Sequence, residues 1–128
     1  MSKINDLLQE LLNQPDTPVA VVMDRYLSPG YRQRTNGTWD ERDAVGRHFE
    51  HLRTVVDQAV ISIQDEITDG RSYADRHIVQ ITKRDGSRVT QEVYLFGDLD
   101  EEGRFTRVEE VTLMLQGSEA DRGIGSAR

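Results

Sequence analysis

At 128 residues the chain is long enough for one domain with a hydrophobic core that needs no covalent staples. It carries 16 Lys and Arg against 23 Asp and Glu, and a net charge of −7 opposes nonspecific attraction to nucleic-acid phosphates. There is no Cys, no apolar run near the ~20 residues of a membrane helix, and no basic-then-apolar leader at Met1-Ser2-Lys3. The expectation is a cytoplasmic protein with neither a nucleic-acid nor a membrane partner.

Ile4, Leu7, Leu8, Leu11 and Leu12 repeat at the spacing of one helix face, and Asn13-Gln14-Pro15 stops that helix. A second helix is predicted to start at once, capped by Asp16 or Thr17 with Pro18 in its first turn, and to bury Val19, Val22, Met23 and Tyr26. Ser28-Pro29-Gly30 ends it. Tyr31–Thr35 reads as a short strand before Asn36-Gly37. The third helix is predicted from Thr38 and Glu41 as a capping box, or from Asp40 and Asp43 one register later, with Val45, Phe49, Leu52 and Val56 as its apolar seam.

After Asp57 the pattern changes. Asp69-Gly70, Asp85-Gly86 and Glu102-Gly103 separate the apolar-rich runs Ala59–Ile67, Tyr73–Lys83, Val89–Leu99 and Phe105–Leu115. Turns that need positive φ select Gly, so these runs are predicted to form a four-strand antiparallel meander. The domain is expected over residues 1–116, with 117–128 a mobile tail.

Alternation along the strands gives two faces, each mixing apolar and ionisable residues. Tyr73, Asp75, His77, Val79 and Ile81 share one face of their run; Ala74, Arg76, Ile78, Gln80 and Thr82 share the other. A sheet that is apolar on both faces needs two covers. The helices supply one, and a second copy of the same sheet is the expected other, giving a homodimer.

Helix–helix–short strand–helix–meander, over about residues 4–115, resembles the cone-shaped α+β fold of nuclear transport factor 2, the SnoaL-type polyketide cyclases, ketosteroid isomerase and limonene-type epoxide hydrolase. The resemblance implies three N-terminal helices packed on a curved antiparallel sheet around a pocket for a small apolar ligand, with no cofactor. Tyr73-Ala74-Asp75-Arg76-His77-Ile78 resembles the epoxide-hydrolase strand Tyr-x-Glu-Arg-x-Asp, with Ile78 in place of the Asp. By that match Arg76, Ile78, Val108 and Glu110 line the inner face, and Asp75 and His77 belong to the outer one. Ketosteroid isomerase would have a carboxylate in the strand occupied here by Tyr31–Thr35, which has none.

The expected catalytic candidates are therefore Glu110 as acid/base and Arg76 as the group that positions substrate or steadies negative charge. The alternative is a noncatalytic binding or dimerisation module in which Arg76 and Glu110 form a structural ion pair. Tyr31, Trp39, His48, Ile78, Tyr94 and Val108 are the candidate ligand-binding residues. Asp75 and His77 lie two residues apart, about 6.5–7 Å along a strand, too far for an easy hydrogen bond. His48 and His51 stand one helical turn apart but lack a third ligand, so no metal is expected. The function implied is that of a small-molecule isomerase, cyclase or hydratase.

Overall fold

The computed structural model describes residues 2–118 and residue 121. Three helices, α1 (Lys3–Asn13), α2 (Val19–Tyr26) and α3 (Arg42–Val55), pack on one face of a six-stranded sheet. The strands are β1 (Leu27–Thr35), β2 (Thr38–Glu41), β3 (Val56–Asp69), β4 (Ser72–Lys83), β5 (Arg88–Leu99) and β6 (Phe105–Gln116), in the order β2-β1-β6-β5-β4-β3. Among the described residues no helix is long and apolar enough to cross a membrane.

The meander forms as the sequence predicts. Gly70, Gly86 and Gly103 take φ of 61°, 88° and 81°, the left-handed conformations for which those positions need Gly. The sheet is nevertheless not wholly antiparallel, because β1 runs parallel to β6. That pairing joins segments 75 residues apart, as Thr35 with Glu110, and no local turn announces it.

The predicted capping box at Thr38 and Glu41 does not form. Asn36 and Gly37 adopt φ of 50° and 90°, so the chain doubles back in a two-residue hairpin, and Thr38–Glu41 pairs with Arg32–Thr35 as β2. The α3 helix starts afterwards, at Arg42, with no side-chain cap. The second helix likewise starts on Pro18 without a cap from Asp16 or Thr17. At α1 the Ser2 hydroxyl accepts from Asn5 N at 3.1 Å.

The core lies between the helices and the concave sheet face. Leu11, Val22, Val45, Val89 and Phe105 are fully buried there. Two bulges decide which side chains reach it. In β3 the register slips between Ile63 and Asp65, so Asp65 pairs with outward-facing Arg76 and Glu66 pairs with inward-facing Asp75. In β6 the slip beside Asp98 and Leu99 turns both Phe105 and Val108 inward, against the simple alternation that separated them.

Phe105 fits because β5 offers no side chain at Gly97. A Cβ there would stand 3.1 Å from the Arg107 carbonyl oxygen and 3.1 Å from the Phe105 ring. Gly97→Ala is expected to destabilise the fold by about 1–3 kcal/mol, the range for overpacking a close-packed core. A urea unfolding midpoint equal to that of the parent would show that Phe105 moves aside freely.

Of the predicted tail, residues 119, 120 and 122–128 lie outside the described residues. Asp121 is described: it is buried and accepts from Lys83 Nζ at 2.7 Å and from Ser118 N at 3.0 Å.

Candidate active site

A cavity of about 110 Å³ lies between α1, α3 and the sheet. Its walls are mainly apolar, from Ile4, Leu7, Leu8 and Leu12 of α1, Phe49 and Leu52 of α3, and Val79, Val93, Leu95 and Val108 of the sheet. Into this setting project Tyr31, Gln33, His48, His77, Gln91 and Glu110.

Two polar rows cross the cavity floor. On β1, Tyr31 Oη donates to Gln33 Oε1 at 2.8 Å, and Gln33 Nε2 donates to Thr35 Oγ1 at 3.2 Å. The Thr35 hydroxyl then donates to Glu110 Oε1 at 3.0 Å. Every donor in this row points toward the carboxylate, and hydrogen bonds aligned head to tail polarise one another. On β4, Asp75 Oδ1 and His77 Nδ1 are 2.9 Å apart, and Tyr73 Oη is 2.9 Å from Asp75 Oδ2. The Asp75 and His77 side chains are almost wholly removed from solvent, at 0% and 3% exposure.

Strand register relates the two rows. Asp75 pairs with Leu95, Leu95 with Glu110, and Glu110 with Thr35. Two strand spacings, about 9.6 Å, therefore separate Asp75 from Glu110, with Leu95 between them. A molecule lying over Leu95 would have His77 on one side and Glu110 on the other.

Burial pushes the Glu110 carboxyl above its ordinary range; the Thr35 hydroxyl and His77 pull it partly back, while Asp75 raises it. Burial, with a contribution from Glu110, lifts the Tyr31 phenol well above its usual value and keeps it a neutral donor. Gln91 adds an unusual feature. Its Nε2 is a buried donor with no hydrogen-bond partner among the described residues, on a residue that lines the cavity. Such a group costs about 1–3 kcal/mol, which an acceptor on a bound molecule would recover.

The structure keeps some of the sequence-predicted residues in the site and removes others. Glu110, Tyr31, His48 and Val108 line the cavity. Arg76 and Ile78 do not, and the expected Arg76–Glu110 contact is absent. Arg76 lies on the outer face, donating to Asp65 at 3.0 Å and Glu92 at 3.1 Å. Tyr94 is also on the outer face and exposed. Trp39 sits on the edge strand β2, its ring 4.0 Å from the Arg32 guanidinium, away from the cavity. Of the two helical histidines, His48 is buried at the cavity and His51 is exposed.

The largest correction concerns Asp75 and His77, outer-face residues by the epoxide-hydrolase match and at a strand spacing that strains a direct hydrogen bond. They are inside and bonded, because side chains at i and i+2 converge on the concave side of a curved strand. Plain alternation carried this answer, since Tyr73, Val79 and Ile81 are a more apolar set than Ala74, Gln80 and Thr82. Gln33, Thr35 and Gln91 were missed altogether. Gln91 was visible as a lone amide among Val89, Val93 and Leu95, and Gln33 and Thr35 as the uncharged alternates of Arg32 and Arg34.

No protein-family model matches the chain. It is 30% identical over 103 residues to the uncharacterized protein C11D3.04c of Schizosaccharomyces pombe, covering 80% of this chain and 78% of that one. Among solved structures it is similar to AclR of Streptomyces galilaeus, a candidate hydroxylase, with TM-score 0.72, 10% identity and coverage of 98% and 84% of the two chains. IdmH of Streptomyces antibioticus, a candidate polyketide cyclase, aligns with TM-score 0.69 and 12% identity over 86% and 88%. An NTF2-like protein of unknown function from Exiguobacterium sp. 255-15 gives 0.68 and 18% identity over 88% and 98%. The helices and the curved sheet thus have counterparts among the solved structures, and the chain belongs to the family of the S. pombe protein, with the NTF2-like, SnoaL-like fold.

Proposed function

We propose that the cavity binds a compact, largely apolar carbonyl compound and moves a proton on it, as an isomerase, cyclase or hydratase would. The observation that carries this reading is the meeting of a buried donor without a partner among the described residues, Gln91 Nε2, with His77 and Glu110 as proton-transfer groups inside apolar walls. Gln91 would hold the carbonyl oxygen and steady negative charge that develops there. His77, turned by Asp75 so that Nδ1 is engaged and Nε2 is left for the cavity, would take or give one proton. Glu110 would serve the opposite side of the molecule, its raised proton affinity bringing it closer to neutral pH. A volume of about 110 Å³ suits a single-ring molecule.

The test is hydrogen–deuterium exchange at the α-carbon of small cyclic ketones and enones in D₂O, followed by NMR. The protein is expected to accelerate exchange, and the ketone to shift the Gln91 side-chain amide resonance. Exchange no faster than in buffer, with no shift at Gln91, would overturn the reading.

We further propose that a second copy covers the outer sheet face. Tyr94, Phe96, Val111 and Leu113 form an apolar patch there on adjacent strands, with Phe96 at 68% exposure. Sedimentation at micromolar concentration is expected to give a dimer for the parent chain and a monomer for Leu113→Glu. A monomeric parent chain would end that proposal.

A further inference from the structure

The second polar row does not stop at Asp75. Beyond it, Tyr73 Oη also lies in hydrogen-bond contact with Glu66 Oε2, and that oxygen accepts from Ser2 Oγ at 2.6 Å. Glu66 is solvent-exposed, whereas Tyr73, Asp75 and His77 are buried. We propose that Glu66, Tyr73, Asp75 and His77 form a proton relay that joins the cavity to solvent beside the start of α1. The proposal rests on the acid–base reading of the cavity and deepens it.

Hydrogen counting supports the relay. Tyr73 Oη contacts one carboxyl on each side, yet a phenol has a single hydrogen to donate. Both contacts are hydrogen bonds only if Glu66 or Asp75 carries a further proton. The pair therefore has two states, with that proton on the outer carboxyl or on the inner one. Burial and both carboxylates push the Tyr73 phenol far above its ordinary value, so it stays protonated and passes a hydrogen only as it receives one.

Transfer out of the cavity then balances atom by atom. It starts with the proton on Asp75 Oδ2. His77 Nε2 takes a proton from the bound molecule as Nδ1–H shifts to Asp75 Oδ1. The Oδ2 hydrogen shifts to Tyr73 Oη, and the Oη hydrogen shifts to Glu66 Oε2. One proton leaves the bound molecule, one arrives on Glu66, and solvent collects it. Run backwards, the same shifts deliver a proton.

The fold gives this row its inward aim. Without the bulge between Ile63 and Asp65, Asp65 would take the inner register that Glu66 occupies beside Asp75. The Tyr73 ring is held edge-on to Phe105 with centroids 5.2 Å apart, which fixes Oη between the two carboxyls. Other ionisable groups facing the cavity end of the row are Glu110 from β6, Tyr31 from β1 and His48 from α3.

The experiment measures solvent exchange of the His77 ring N–H by nitrogen-15 NMR in the protein alone, for the parent chain, Tyr73→Phe and Glu66→Gln. Tyr73→Phe removes the bridging oxygen and keeps the ring. Glu66→Gln keeps an acceptor at an exposed position but removes the carboxyl that takes up the relayed proton. Each is expected to slow exchange at least tenfold, and Glu66→Asp to restore it in part. A structural role predicts no such slowing in Glu66→Gln, because its contact to Tyr73 survives. Exchange within twofold of the parent in Glu66→Gln overturns the relay, even if Tyr73→Phe fails to fold. Since no ketone is present, that failure leaves the acid–base reading standing, and loss of ketone exchange with a working relay overturns only the acid–base reading.

Discussion

Glu110→Gln is expected to abolish most proton transfer in the cavity and, at the same time, to make the protein more stable at neutral pH. The two effects share one cause. Burial raises the proton affinity of Glu110 in the folded state above its ordinary value of 4.5. A carboxyl whose folded pKa is raised binds more protons folded than unfolded, so stability is fullest below about pH 4.5 and declines as pH rises through the folded value. Every tenfold rise in proton affinity corresponds to about 1.4 kcal/mol lost at the top of that window. Glutamine has no proton to lose and still offers an oxygen to the Thr35 hydroxyl, so the variant lacks this slope. Urea unfolding of both proteins from pH 4 to 8 should give a difference curve that rises with pH and then levels. Ketone exchange should fall by about 10²–10⁴, the usual worth of a general acid or base. A flat difference curve would show that Glu110 is already satisfied as an anion.

Arg53→Met is expected to cost about 3 kcal/mol or more, although Arg53 lies outside the cavity. The last turn of α1 contains no basic residue, so its terminal carbonyls need partners from elsewhere. Arg53 of α3 supplies them. Its Nε donates to Leu11 O at 2.7 Å, and Nη2 donates to Glu10 O at 3.0 Å and Gln14 O at 3.2 Å. Nη1 donates to Thr17 O at 2.6 Å. A cation at a helix C-terminus also opposes the helix dipole, and hydrogen bonds to charged groups are worth about 1.5–3 kcal/mol each before non-additivity. Arg53→Lys should recover only part of the loss, because an ammonium lacks the planar fork that reaches several carbonyls at once. An Arg53→Lys protein as stable as the parent in urea would mean that charge alone suffices. Since Ile4, Leu7, Leu8 and Leu12 of α1 roof the cavity, Arg53→Met should also speed amide exchange along α1.

How far the sequence could be read depended on the range of the forces involved. The meander was legible because positive φ at Gly70, Gly86 and Gly103 is a local steric demand, and the apolar stripe of α1 because helical spacing is local too. The hairpin at Asn36-Gly37 was announced by the same chemistry, yet the Thr38–Glu41 capping pattern beside it misdirected the reading. There two local patterns competed for one backbone, and cross-strand pairing to Arg32–Thr35 decided between them.

The site was less legible. Glu110 lines the cavity, on the inner face that the epoxide-hydrolase resemblance implies, but its supposed partner Arg76 lies on the opposite face of the sheet. The short motif Tyr73–Ile78 points Arg76 inward, but the greater apolar content of the Tyr73 face outweighs it. Gln91, Gln33 and Thr35 are ordinary residues in strands; only the cavity makes the two glutamines notable, and only its bond to Glu110 does so for Thr35.

By itself, then, the sequence determined the three helices, the four meander strands, the glycine turns between those strands and, away from the bulges, which residues of a strand share a face, since all of these follow from steric and periodic rules acting over a few residues. Tertiary structure alone decided where bulges break that alternation, in β3 and β6. It also brought Asp75 and His77 within 2.9 Å, selected Glu66 over Asp65 by one bulge, and set Thr35 beside Glu110 through a parallel pairing across 75 residues. Those outcomes depend on sheet curvature and long-range register, where a single-residue slip sends a side chain to the other face and no local pattern records it.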